Sequence, residues 1–189
     1  MLKLHVIIAS TRPARAGLGI GTWFMGAAER HGKLQVRLVD LAEVNLPMFD
    51  EPRHPRFAQY EHAHTKAWSA VVAEADAFVF VTPEYNYSAP PSLLNALDFV
   101  SREWHYKPVG FVSYGGIAGG TRAVQMLKLT VTGLKMMPMM EGVPIPFFSQ
   151  HMEAGVFKAT ESHEKAVVAM LDELLRWAEA LKTLRAPAI

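Results

Sequence analysis

Phe78-Val79-Phe80-Val81-Thr82-Pro83-Glu84-Tyr85-Asn86-Tyr87-Ser88 is the stretch from which the fold is read. Its first four residues are β-branched or aromatic and form a short apolar run, as a strand covered on both faces requires. Thr82 to Ser88 then carries two tyrosines, an amide and a carboxylate, and a helical pattern opens at Pro90-Pro91. Strand, side-chain-rich loop and helix make one βα unit. In open α/β sheets ligands sit in the crevice at the carboxyl ends of the strands. Aromatic rings there suit the face of a flat ligand, while amide and backbone groups read its edge. The alternative for this loop is a contact with a neighbouring subunit.

The same unit repeats outward in both directions. Apolar runs lie at Leu4 to Ala9, Leu34 to Leu38 and Val109 to Ser113, with a weaker fifth near Leu134 to Met137. Phe57, Tyr60, His64, Ala67, Trp68, Val71 and Ala75 follow helical steps, as do Val167, Met170, Leu171, Leu174, Ala178 and Leu181. Thr160 or Ser162 is the N-cap candidate of the last helix, and Glu161 and Glu164 suit its dipole. Alternation of this kind predicts a parallel sheet with helices on both faces, and right-handed crossovers leave few topologies. The expected fold is α/β: one flavodoxin-like, doubly wound three-layer sandwich over residues 1–189, with a five-stranded parallel sheet. Asn45 to His54, rich in Pro and charge, reads as a surface excursion. Met136 to Phe148, dense in Met and Pro, reads as core or subunit interface, with the wall of a substrate pocket as the alternative.

Composition narrows the function. Half of the 189 residues are hydrophobic, enough for a sizeable core. A net charge of +1 gives no footprint for nucleic acid or an anionic membrane. The absence of cysteine excludes disulfides, thiolate metal sites and a cysteine nucleophile. The opening apolar run is too short to span a bilayer and has no cleavage site, so a cytoplasmic protein is expected. The histidines show no metal-ligand spacing, no G-x-S-x-G elbow occurs, and no P-loop is present.

Ser10-Thr11-Arg12-Pro13-Ala14-Arg15-Ala16-Gly17 follows the first strand and runs into a helix from about Leu18. Two hydroxyls, two guanidiniums and the free donors of a helix start are what a phosphate monoester needs, and the loop has no acid to repel it. Gly17-Leu18-Gly19-Ile20-Gly21 has the wrong spacing for the dinucleotide fingerprint, so close helix packing explains these glycines better. Asp40 ends the second strand but gives that fingerprint no further support.

The fourth strand leads into Ser113-Tyr114-Gly115-Gly116-Ile117-Ala118-Gly119-Gly120-Thr121-Arg122, whose glycines let the backbone approach a ligand closely. Three neighbouring loops thus combine phosphate, aromatic and backbone-donor chemistry. A phosphorylated planar heterocycle fits all three, and FMN is one. Residues Pro83 to Ser88, Leu94-Asn95-Ala96-Leu97-Asp98, Lys107-Pro108-Val109-Gly110 and the paired glycines at 115–116 and 119–120 resemble the NADPH-dependent FMN reductases. That family belongs to the flavodoxin-like superfamily and has quinone, azo-dye and chromate reductase relatives. The likeness runs to about Met140; the family usually has Gly where this chain has Ala9.

The resemblance implies that Ser10, Thr11, Arg12, Arg15 and Gly17 hold the FMN phosphate. It places Pro83, Glu84, Tyr85, Asn86 and Tyr87 around the isoalloxazine and ribityl parts, and Ser113, Tyr114, Gly115 and Gly116 at the ring's polar edge. NADPH, or NADH, is the implied co-substrate. Two electrons would pass through FMN to a small-molecule acceptor such as a quinone, flavin or azo compound, with ping-pong kinetics. A homodimer or homotetramer is implied too. No catalytic side chain and no metal ligand is nominated, since the flavin carries the chemistry. Glu84 is expected to accept backbone N–H bonds, and Arg122 and Arg102 are candidates for the NADPH 2′-phosphate. A flavodoxin-type electron carrier and a non-catalytic nucleotide-binding regulator are the alternatives.

Overall fold

The computed structural model describes residues 1–185. Five parallel strands form the central sheet: β1 (Leu2–Ile8), β2 (Leu34–Asp40), β3 (Ala77–Pro83), β4 (Pro108–Tyr114) and β5 (Met137–Ile145). Their spatial order is β2-β1-β3-β4-β5. The helices α1 (Gly17–His31) and α6 (Glu161–Arg185) cover one face. A single turn, α2 (Leu41–Val44), follows β2, and α3 (Ala63–Glu74), α4 (Pro91–Asp98) and α5 (Thr121–Gly133) cover the other face. A short hairpin, β6 (Met152–Glu153) and β7 (Val156–Phe157), precedes α6. The expected five-stranded flavodoxin-like α/β sandwich is the observed one.

Period-two alternation builds both cores from one strand. Ala77, Val79 and Val81 of β3 pack with Ile20, Phe24, Val167 and Met170. Phe78 and Phe80, on the other face, pack with Trp68, Leu97, Trp104 and Leu127. The buried indoles of Trp68 and Trp104 donate to the carbonyls of Ala96 and Leu97 at 2.8 and 3.2 Å. Each N–H is thereby satisfied, and α4 is pinned to the layer beneath it.

Two sequence expectations are corrected here. The fifth strand is not at 134–137: Leu134 caps α5, Lys135 turns left-handed at φ 55°, and β5 runs from Met137 to Ile145. Most of the Met-rich segment is therefore this edge strand. Met139, Val143 and Ile145 face the core, while Met140 is 88% exposed. Likewise the helix expected from Phe57 begins only at Ala63. Pro55–Phe57 is an isolated 3₁₀ turn ended by left-handed Ala58, which breaks the helix that the spacing of Phe57 and Tyr60 suggests. The 45–54 excursion is tied down, because Asn95 donates to the Pro47 carbonyl and accepts from the Phe49 N–H. Glu51 accepts the N–H groups of Glu61 and His62 at the start of α3. Of the two candidate caps on α6, Thr160 is the one in place.

The order of connection reverses between β1 and β3. The chain leaves β1 for α1 on one face and leaves β3 for α4 on the other. The loops part there, and a crevice opens at the carboxyl ends of the strands.

Candidate functional site

A cavity of about 360 Å³ fills that crevice, lined by the loops after β1, β3 and β4. Ser10 lies buried at the end of β1, its hydroxyl 2.7 Å from that of Tyr85. Arg12 donates its N–H to Ser10 Oγ at 3.4 Å, and its guanidinium stands 5.9 Å from the centre of the Tyr85 ring. Arg12 forms no ion pair among the described residues. Arg15 is paired with Asp40, which also accepts the Ala42 N–H at 3.0 Å to start α2. The remaining donor of Arg15, Nε, is buried and has no partner among the described residues. Ala16 begins α1 without a side-chain cap, and the first turn holds no acid. Unpaired helix donors, a free guanidinium and an orphaned Nε therefore meet on one wall.

The second loop is a tight turn. Tyr85 and Ser88 exchange backbone hydrogen bonds at 2.9 and 3.0 Å, and Asn86 and Tyr87 between them have φ of 50° and 66°. Positive φ at both central residues is the I′ geometry of two-residue hairpins. Glu84 donates its N–H to the Tyr114 carbonyl, tying this loop to β4. Its carboxylate accepts the Arg122 N–H at 3.3 Å, as the sequence leads one to expect, and also Arg122 Nε at 2.6 Å.

The third loop is shaped from within. Ser113 Oγ donates to the Gly119 carbonyl at 2.8 Å. A Cβ on Gly120, at φ 80°, would lie 2.7 Å from the Tyr114 backbone nitrogen, so only glycine serves there. Tyr114 passes beneath α1, and a Cβ on Gly17 would sit 2.7 Å from its phenol oxygen. Burial, reinforced by the nearby Tyr85, pushes the Tyr114 phenol well above its ordinary range, so it stays a neutral donor. A Cβ on Gly116 would meet nothing within 4 Å.

The site residues expected from sequence separate into groups. Ser10, Arg12, Arg15, Pro83, Glu84, Tyr85, Tyr114, Gly115 and Gly116 line the one cavity. Thr11 borders an adjoining hollow shared with Leu46, Met48 and Asn95. Gly17 and Ser113 lie behind the wall, and Asn86 and Tyr87 form the turn beyond it. Gly17, Gly19 and Gly21 are places of close approach, to Tyr114, Gly155 and Ile8, as the packing explanation requires. Arg102 stands beside Lys107 at the amino end of β4, away from the cavity, whereas Arg122 is at its edge. Phe148, which stacks edge-on with Tyr114 at 5.3 Å, completes the lining. Its only sequence signal is its place at the end of the Met-rich segment.

Known proteins resemble the chain in sequence and in fold. The family described as NADPH-dependent FMN reductase matches residues 2–150. An NAD(P)H-dependent FMN reductase of Schizosaccharomyces pombe is 43% identical over 148 residues, 76% of this chain and 74% of the relative. A probable NADPH:quinone oxidoreductase of Oryza sativa is 33% identical over 132 residues, 68% of this chain and 66% of the relative. Among solved structures, the flavoenzyme NAD(P)H:(acceptor) oxidoreductase FerB of Paracoccus denitrificans superposes with a TM-score of 0.75. It is 23% identical, and the match covers 95% of this chain and 98% of that one. The chain belongs to the NADPH-dependent FMN reductase family, oxidoreductases with FMN as cofactor and NAD(P)H as co-substrate.

Proposed function

We propose that the crevice is the FMN site and that two electrons pass from NADPH to a quinone, flavin or azo compound, the two co-substrates reacting in turn. The buried, partnerless Nε of Arg15 beside the uncapped start of α1 carries this reading. A buried donor left unpaired is costly, and an anion at that point would satisfy it together with the helix donors. The chemistry of the donor set fits a phosphate, and the open space over Gly116 fits a flat ring.

FMN, when bound, supplies the two-electron redox chemistry. The chain supplies position. Ser10, Arg12 and Arg15 bind the phosphate, each charged hydrogen bond contributing roughly 1.5–3 kcal/mol, with Thr11 at the flank. Gly17 gives Tyr114 the room to reach the end of β1. Pro83, Glu84 and Tyr85 form one side of the ring site, supported by the Asn86-Tyr87 turn. Gly115 and Gly116 form the other side, fixed by Ser113, and Tyr114 presents a neutral hydroxyl. No side chain is assigned as acid or base, since Glu84 is held by Arg122. Assembly as a homodimer or homotetramer in the cytoplasm belongs to the same proposal. Among the described residues, no helix is long and apolar enough to cross a membrane.

The test is a titration of the purified protein with FMN, followed by NADPH without oxygen and then by a quinone. Flavin absorbance that bleaches with NADPH and returns with the quinone is the expected result. Protein that takes up no FMN, or flavin that NADPH does not bleach, would refute the proposal.

A further inference from the structure

Tyr87 occupies the second central position of its hairpin turn, where glycine is most at ease, yet it carries a large ring at φ 66°. That ring is 63% exposed. Strain of this kind persists where the surroundings over-determine it, and it collects at ligand sites. Arg122 does the determining here. Its guanidinium lies 4.1 Å from the centre of the Tyr87 ring and is gripped by Glu84 through Nε at 2.6 Å and Nη2 at 2.5 Å. Because Glu84 also lines the cavity, one rigid bracket joins the cavity wall to the ring. Phe147, on the chain leaving β5, repeats the pattern. Its φ is 46°, it is 48% exposed, and its N–H donates to the Gly116 carbonyl at 3.0 Å. Ile117, next to Gly116, is 78% exposed. Three large side chains thus stand exposed on the loops that lead away from the cavity wall, and Tyr87 is the one fixed to that wall through Glu84.

We propose that Tyr87 is the stacking residue for a flat apolar acceptor of the quinone class, with Glu84 and Arg122 as the positioning residues that set its ring. This rests on the crevice being the flavin site. The overall reaction balances as NADPH, one solvent proton and quinone giving NADP⁺ and hydroquinone, with two electrons transferred.

The experiment uses holoprotein, with FMN affinity of every variant measured first by flavin fluorescence. Tyr87→Ala and Tyr87→Phe are compared with the wild type on a naphthoquinone and on ferricyanide, an acceptor that requires no stacked complex. Tyr87→Ala should lower the ratio of the two kcat/KM values about tenfold, through the quinone KM, and Tyr87→Phe should restore it. Arg122 variants are compared on the uncharged quinone alone. Arg122→Ala should raise its KM severalfold, and Arg122→Lys less.

A ratio that Tyr87→Ala leaves intact overturns the proposal, whether both acceptors decline together or neither does. So does an altered molar mass by light scattering with the ratio unchanged, which would assign Tyr87 to a subunit contact. An unchanged quinone KM in Arg122→Ala overturns the positioning role. A wild-type protein that binds no FMN refutes the underlying flavin site, and that result is read before any variant is compared.

Discussion

Two helices of this chain begin in opposite ways. At the start of α6, Thr160 Oγ1 accepts the His163 N–H at 3.5 Å, and His163 Nδ1 accepts the Thr160 N–H at 3.1 Å. This is a reciprocal capping box with histidine where Glu or Gln usually stands. Glu161 and Glu164 add negative charge at the positive end of the dipole. α1 has neither device: Ala16 offers no acceptor and no acid follows it. Both helices face the same problem of unpaired N–H groups in the first turn. α6 solves it within the protein, whereas α1 brings its donors, with Arg12 and Arg15, to the wall of the cavity. The difference is what the proposed phosphate site at the start of α1 requires: one helix start satisfied from within, the other left open.

The largest effects should come from breaking the α1 side. Arg15→Met leaves Asp40, which is almost fully buried, without its cation. Removing one partner of a buried pair costs about 3 kcal/mol or more, so urea unfolding of FMN-free protein should show a loss of that size. FMN affinity should fall at least tenfold with it. Adding Asp40→Asn to Arg15→Met keeps an acceptor for the Ala42 N–H and removes the stranded charge. Stability should largely return and FMN affinity should not. If both return together, Arg15 acts only through the fold.

A smaller effect follows from giving α1 the acid that α6 already has. Ala16→Asp places a carboxylate among donors assigned to the phosphate. FMN affinity should fall by about 2 kcal/mol, roughly thirtyfold, at low ionic strength, with part of the loss relieved by salt. Fluorescence titration at two salt concentrations checks it. An unchanged affinity would place the phosphate elsewhere and end the comparison of the two helix starts.

Much of this layout is legible in the residues, and what is hidden has a common cause. β1, β3 and β4 are nearly continuous apolar runs because both faces are covered, with His5 the buried exception in β1, and the pattern of α6 is a clean stripe. β5 is obscured because it is an edge strand interrupted by Pro138, Gly142 and Pro144, with a register shift opposite Val109 and Phe111. The false start of α3 arises because spacing carries no information about φ, and Ala58 is left-handed. In the site, the loop residues are identifiable by type, but their partners are not. Asp40 lies 25 residues from Arg15, and Arg122 lies 38 residues from Glu84. Such pairings are created by the crossovers, so a motif read along the chain contains one half of each.

The smallest effect sharpens the comparison from the α6 side, through pH. His163 can accept the Thr160 N–H only while Nδ1 is unprotonated. Burial, with His151 adding to it, holds its pKa below the ordinary 6.5. The unfolded chain therefore takes up the proton first as pH falls. The cap's contribution is complete above about pH 6.5 and is lost as pH drops from there toward the folded value. His5, whose burial lowers its pKa to about 4, has the same sign, so wild-type stability should decline steadily below pH 6.5. His163→Gln keeps an acceptor at the same position without a titrating group. Its urea midpoint should match the wild type near pH 7.5 and exceed it at pH 5 by an amount equivalent to about 1 kcal/mol, while the His5 contribution cancels between the two proteins. FMN affinity should not respond to this substitution at either pH, since α6 starts outside the cavity. A variant that tracks the wild type at both pH values would mean that the cap contributes nothing to stability, and that the two helix starts differ in geometry but not in energy.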